Sequence, residues 1–270
     1  FQCYDCDAPV MTISWAGAEG PALGPEAACC SRGRLYGLFG TVQNLHRLCV
    51  VVHCRVGDTA HAVEQATVAF DNGADGVFLI IHKSHAPSDL LSLYKVVRDA
   101  HPLRFIGLNF LPARVDVAME NVPLDCQALW TDDGIDGKLA QSGVDAQIPR
   151  ALGIRLARKW PGLLFAAFAF KYRAPIPDKE LPSRGALARQ LLDVPTTSGP
   201  ATGVAMTMQR ARALRAAVGD KATLAAASGI TLKNATCLVP YFDIVLVASS
   251  LEQGAEYSGL LIPEKVRQLA

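Results

Sequence analysis

The run Leu163-Leu164-Phe165-Ala166-Ala167-Phe168-Ala169-Phe170-Lys171 is apolar for eight residues and then stops on a charge. A run of that length suits a buried strand and falls far short of the roughly 20 residues a membrane span needs. Side chains alternate along a strand, so Phe165, Ala167, Ala169 and Lys171 share one face, and Ala166, Phe168, Phe170 and Tyr172 share the other. The bulky Phe168 and Phe170 suit packing under helices. Ala167 and Ala169 are then expected to point into a crowded interior, with Lys171 projecting from the top of the same face.

Working outward, seven more β-prone runs occur: Leu48–His53, Gly76–His82, Arg104–Leu111, Cys126–Thr131, Val194–Ser198, Ala222–Ser228 and Phe242–Ser249. Segments of helical period fall after them, over Ala60–Asn72, Ser88–Ala100, Arg114–Asn121, Ala146–Lys159, Arg184–Leu192, Thr207–Val218, Leu232–Val239 and Pro263–Leu269. Strand and helix alternating eight times place the chain in the α/β class and predict a closed (β/α)8 barrel. The rival is a doubly wound open sheet, which would carry a Gly-rich GxGxxG turn after its first strand. None follows His53. Residues 48–270 are read as the barrel domain, and residues 1–47, without periodicity, as an irregular N-terminal arm. Asp75, Asp125, Asp193 and Asp243 precede strands, on the end of a barrel that serves stability, and are read as structural.

Composition narrows the function classes. The 270 residues are 50% apolar and 19% charged, enough apolar material for a full core. The 26 Lys and Arg nearly cancel the 25 Asp and Glu, so no global field draws the chain to nucleic acid or an anionic membrane. Without a transmembrane run or a basic, apolar leader, the protein is expected to be soluble, cytoplasmic or inside an organelle, and not secreted. Cys49, Cys54 and Cys126 lie in apolar surroundings and are read as reduced and buried. Cys3, Cys6, Cys29 and Cys30 have poor spacing for a tetrahedral zinc site, so no metal is expected there.

In such a barrel the chemistry belongs at the carboxyl ends of the strands. Lys171 there suits binding an anion, forming a Schiff base or stabilising an enolate. Val51 and His53 share one face of the first strand, and Phe105, Gly107 and Asn109 share one face of the third. His53 is read either as an acid–base group or as a core histidine. Asn109 is expected to turn inward with Gly107. His82 and Lys83 close the second strand, with loop exposure the favoured reading. Asp132 and Asp133 close the fourth, as a proton-transfer carboxylate, a single Mg²⁺ position or ordinary turn chemistry; no cofactor is expected. The loop Thr197-Ser198-Gly199-Pro200-Ala201-Thr202-Gly203 is small and hydroxyl-rich, and Ser228-Gly229 and Ser249-Ser250 follow the last two strands. Small residues let backbone N–H groups approach an anion, assisted by a helix N-terminus, so Ser198, Gly199, Thr202, Gly203, Ser228, Gly229, Ser249 and Ser250 form the expected phosphate-binding set.

The order of FKYR at 170–173, TSGPATG at 197–203, ASGITLKNA at 227–235 and VASSLE at 247–252 resembles the BtpA/SgcQ family of (β/α)8 barrels, and IGLNFL at 106–111 is similar to that family's glycine-valine-asparagine strand. The likeness spans residues 48 to 260 and is densest from 104 onward. The first strand lacks the family's proline-glycine segment after His53, the second ends in His82-Lys83 rather than an acid–amide pair, and the eighth lacks the usual Gly. The resemblance implies either a link to photosystem I biogenesis or nucleosidase-like chemistry.

Two functions follow. The first is an enzyme acting on a small phosphorylated metabolite, a sugar phosphate or nucleotide, by isomerase, lyase or glycosidic chemistry. In it Lys171 stabilises charge, His53 or Asp132 moves protons, and Lys171, Asn109 and an acid are expected to converge on one pocket. The alternative is a non-catalytic assembly or stability factor that keeps the barrel. Both leave oligomer formation open.

Overall fold

The computed structural model describes residues 46–82, 85–111, 113–138, 147–254 and 257–270. Eight parallel strands close on themselves in sequence order. They are β1 (Arg47–His53), β2 (Gly76–Ile80), β3 (Phe105–Asn109), β4 (Ala128–Ile135), β5 (Leu163–Phe168), β6 (Val194–Ser198), β7 (Ala225–Ala227) and β8 (Ile244–Val247). Each is followed by a helix: α1 (Thr59–Asp71), α2 (Pro87–Ala100), α3 (Val115–Asn121), α4 (Gln147–Arg158), α5 (Leu181–Leu191), α6 (Met208–Val218), α7 (Ala235–Leu238) and α8 (Pro263–Leu269). This is the (β/α)8, or TIM, barrel. Almost all of the expected arm, 1–45, lies outside the described residues, as do Cys3, Cys6, Cys29, Cys30 and Lys83. No helix among the described residues is long and apolar enough to cross a membrane.

Two apolar layers are set by strand alternation. Inside the barrel Cys49, Val51, Phe78, Ile80, Phe105, Trp130, Phe165 and Leu246 pack on one another. Outside, Val50, Leu79, Leu108, Leu129, Leu164 and Phe168 pack beneath the helices. Phe78 plugs the centre, with its ring edge-on to Phe105, Trp130 and Phe165 at 5.1–6.1 Å between centroids. Gly107 makes room for it, because a Cβ at that position would overlap the Phe78 ring. Cys49, Cys54 and Cys126 are buried free thiols, and burial pushes Cys54 and Cys126 up to about 12.

The fifth strand follows the expected alternation as far as Phe168 and then departs from it. Ala167 faces the interior and Phe168 the helices. Ala169 then takes a left-handed turn (φ 51°), which reverses the two residues that follow the strand. Ala169 packs toward the outer layer and Phe170 joins the inner one, opposite to the sequence-based expectation.

The amino-terminal end of the barrel carries a repeated joint. The N–H of Leu48 donates to Asp75 (2.8 Å), that of Leu164 to Asp193 (2.8 Å), and that of Leu224 to Asp243 (2.9 Å). In the remaining quarter Ile106 donates to the side-chain oxygen of Gln127 (2.9 Å), so Gln127 takes the place expected of Asp125, which is exposed. Each acceptor also receives an arginine: Arg47 on Asp75, Arg98 on Gln127, Arg155 on Asp193 and Arg215 on Asp243, at 2.5–2.7 Å. An Arg fork satisfies several oxygens at once. Arg155 also reaches the carbonyl of Gly162, and Arg215 those of Tyr241 and Ala222.

Candidate active site at the barrel mouth

A cavity of about 310 Å³ opens at the carboxyl ends of the strands. Lys171, His53, Asp132 and Asn109 line it, together with Thr202, Gly203, Ser228, Gly229, Ser249 and Ser250. Ser198 and Gly199 stand behind this lining. The Ser198 hydroxyl accepts from the N–H of Lys171 (2.7 Å) and so fixes the turn that carries that side chain. Gly199 is pressed against the Val204 carbonyl, where no Cβ fits.

Three walls can be distinguished. The first is built of backbone. Ser228 and Gly229 are both left-handed (φ 71° and 77°), and the N–H of Gly203 donates to the Ser228 hydroxyl (3.1 Å), which ties the β6 loop to the β7 loop. The Ser250 hydroxyl donates to the Ile230 carbonyl (2.8 Å), tying β7 to β8. Among the described residues no hydrogen bond engages the N–H of Gly229, Ile230 or Ser250. The expected helix N-terminus is missing here: α7 is a single turn, and β8 leads into a turn instead of a helix. Any anion would rest on loop N–H groups and hydroxyls, a nest and not a dipole end.

The second wall rises from β3, β4 and β5. Asn109 is fully buried and sits in register with Trp130. The register of β4 against β5 shifts between Thr131 and Gly134, a bulge that separates the two aspartates. Asp132 faces the cavity. Asp133 is turned away onto Arg173, and accepts from the Val115 N–H (3.4 Å). That divergence separates the two aspartates, and among the described residues no group of three or more His, Cys, Asp or Glu is placed to hold a metal. Burial raises the Asp132 pKa above its ordinary value, against the opposing pull of Lys171, Asn109 and Arg173. Lys171 donates to the Thr202 hydroxyl (2.9 Å), with its ammonium 5.7–5.8 Å from the Phe170 and Tyr172 ring centres.

The third wall is aromatic. The His53 and His82 rings meet edge-on at 4.8 Å, and Tyr257 stacks on His82 at 3.9 Å. His82 sits at the rim with much of its surface exposed, as the loop reading expected, yet its ring lines the cavity. Partial burial, then the neighbouring His53 and Lys171, lower its pKa to about 4. His53 is buried, and its Nδ1 lies 2.5 Å from Oε1 of Glu252. Sequence reasoning passed over Trp130, Glu252 and Tyr257. Trp130 could have been found by counting alternate residues back from Asp132; the other two lie in an aperiodic loop.

No sequence-family description and no curated protein matches the chain. Solved structures do match. The wild-type GGGPS from Thermoplasma volcanium aligns with a TM-score of 0.64 at 9% identity, covering 88% of this chain and 95% of that one. The (S)-3-O-geranylgeranylglyceryl phosphate synthase from Thermoplasma acidophilum, in complex with its substrate sn-glycerol-1-phosphate, aligns at 0.62 and 11%, covering 88% and 96%. Phosphoribosyl anthranilate isomerase from Thermus thermophilus aligns at 0.54 and 16%, covering 83% and 96%. At such identities the likeness establishes the TIM-barrel fold.

Proposed function

We propose that the mouth is the active site of an enzyme acting on a small phosphorylated metabolite, a sugar phosphate or a nucleotide. One observation carries this reading: a single cavity brings unengaged backbone N–H groups together with Lys171 and with Asp132, whose pKa burial raises. Solved structures of like fold, among them a phosphoribosyl anthranilate isomerase and a synthase in complex with sn-glycerol-1-phosphate, support it.

The phosphate oxygens accept from the N–H groups of Gly229 and Ile230 and from the Ser249 hydroxyl. Lys171 balances charge that develops at the reacting end. Asp132, whose pKa burial raises above its ordinary value, serves as the acid, and His53 takes a proton. Isomerisation, elimination and glycosidic cleavage all use these parts.

Inorganic phosphate tests the site by mass action. At 100 times its Kd it should stabilise the fold by about 2.7 kcal/mol. Gly229 is a poor position to mutate, because a Cβ there overlaps the Val204 and Ala205 backbone. Ser249→Asp places a negative charge on the anion wall and should abolish the protection. Protection that is absent in the wild type, or unchanged in Ser249→Asp, overturns the assignment and favours a non-catalytic assembly factor. Lys171→Met should reduce turnover of a phosphorylated substrate by about 10²–10³-fold while largely sparing phosphate binding.

A further inference from the structure

The turn after β8 reaches two walls of the cavity. Ser249 and Ser250 belong to the anion wall, and two residues further on Glu252 meets His53 on the aromatic wall. The side chains of His53 and Glu252 are only 6% and 2% exposed, so water screens the pair little.

The segment that presents Glu252 is tightly held. Glu252 bridges Leu261 in antiparallel fashion, Gln253 donates to the Leu260 carbonyl (2.8 Å), and Ile262 donates to the Leu251 carbonyl (2.8 Å). Lys265 reaches the Glu252 carbonyl (3.3 Å), and Leu261 donates to Gln65 of α1 (2.8 Å). Gly259 lies so close to the His53 carbonyl that no Cβ fits between them. Such a frame fixes both partners to the same part of the barrel.

An imidazole beside a buried carboxylate places a hydrogen on the facing nitrogen, and this decides what the other nitrogen can do. We propose that Glu252 is a positioning residue, holding His53 as the Nδ1–H tautomer so that Nε2 stands bare toward the cavity as the proton acceptor. When Nε2 takes a proton from the substrate, the Nδ1 hydrogen stays in place and the carboxylate neutralises the resulting imidazolium. Nothing else changes hands. The groups that meet His53 besides Glu252 are His82 and Tyr257 edge-on to its ring and His61 with its Nε2 3.3 Å from the His53 carbonyl, while Lys171 and Asp132 line the same cavity. Glu252 is the carboxylate that meets the His53 Nδ1. His82, kept neutral, contributes a hydrogen-bonding ring and leaves proton uptake to His53.

This inference rests on the mouth being the active site, but its test is independent of phosphate. Nitrogen-15 spectra of the histidine rings in the full chain, recorded near pH 8 without phosphate, report each tautomer. The wild type should show His53 with hydrogen on Nδ1 and a bare Nε2. Glu252→Met removes the acceptor while keeping length, and should move His53 to the Nε2–H form. An Nε2–H form in the wild type overturns the proposal whether or not the variant folds. An Nδ1–H form surviving in a cooperatively melting Glu252→Met also overturns it, since Glu252 would then be structural alone. Loss of phosphate protection with an intact Nδ1–H signature refutes the anion site and leaves the positioning role standing.

Discussion

Asp132 and His82 are perturbed in ways that make opposite demands on pH. Burial raises the Asp132 pKa, so the folded chain holds that proton longer than the unfolded chain does. The unfolded state therefore releases it first, and stability falls as pH rises from the ordinary value of 3.8 toward the raised one. The penalty is complete once pH passes the raised value. Asp132→Asn should relieve it, raising Tm at pH 7 by about 2–4 °C, the shift for roughly 1 kcal/mol in a domain of this size. The gain should vanish below pH 3.8, and a Tm series across pH checks both halves. For His82 the folded pKa is lowered from 6.5 to about 4, so its contribution is intact above 6.5 and is lost as pH falls toward 4. His82→Phe should flatten the Tm profile in that window, by only a modest amount because the rim position is partly solvated. Such effects are invisible in sequence, where Asp132 and Asp133 look equivalent. The β4 bulge is what turns one into the cavity and the other onto Arg173.

At the level of strands and their ends, alternation was legible wherever the chain stayed extended. It placed Ala167, Gly107 and Asn109 inward and Phe168 outward, and it failed at the first left-handed residue, Ala169. A positive φ in a non-glycine residue leaves no mark in composition, because neighbouring packing imposes it. Gly107 shows the opposite case, a small inward residue whose reason is the Phe78 ring facing it. Gly107→Ala should cost about 1–3 kcal/mol by overpacking, measured as a lower denaturation midpoint with unchanged slope. The joints at the amino-terminal end should matter more. Asp193 is buried against Arg155 and accepts from Leu164, so Asp193→Asn leaves a buried guanidinium without its counter-charge, at about 3 kcal/mol. Asp125→Asn, at an exposed position, should stay within about 0.5 kcal/mol.

For the whole molecule, the number of alternating units was enough to read the barrel, since eight strand–helix pairs leave few other closures. The site was legible in outline for the same reason: in a barrel the strand ends converge whatever their distance along the chain, and ten of the residues picked from those ends line one cavity. Glu252 and Tyr257 escaped notice because they sit on a loop with no period to follow. Their place depends on long-range contacts such as Gln65 with Leu261. The joints closing the opposite end recur once for every two strands, each pairing an acceptor before an even strand with an N–H at the start of the preceding odd one. Four such joints spread around the base fasten the strands two by two, so that removing any one of them leaves three others to keep the cylinder shut.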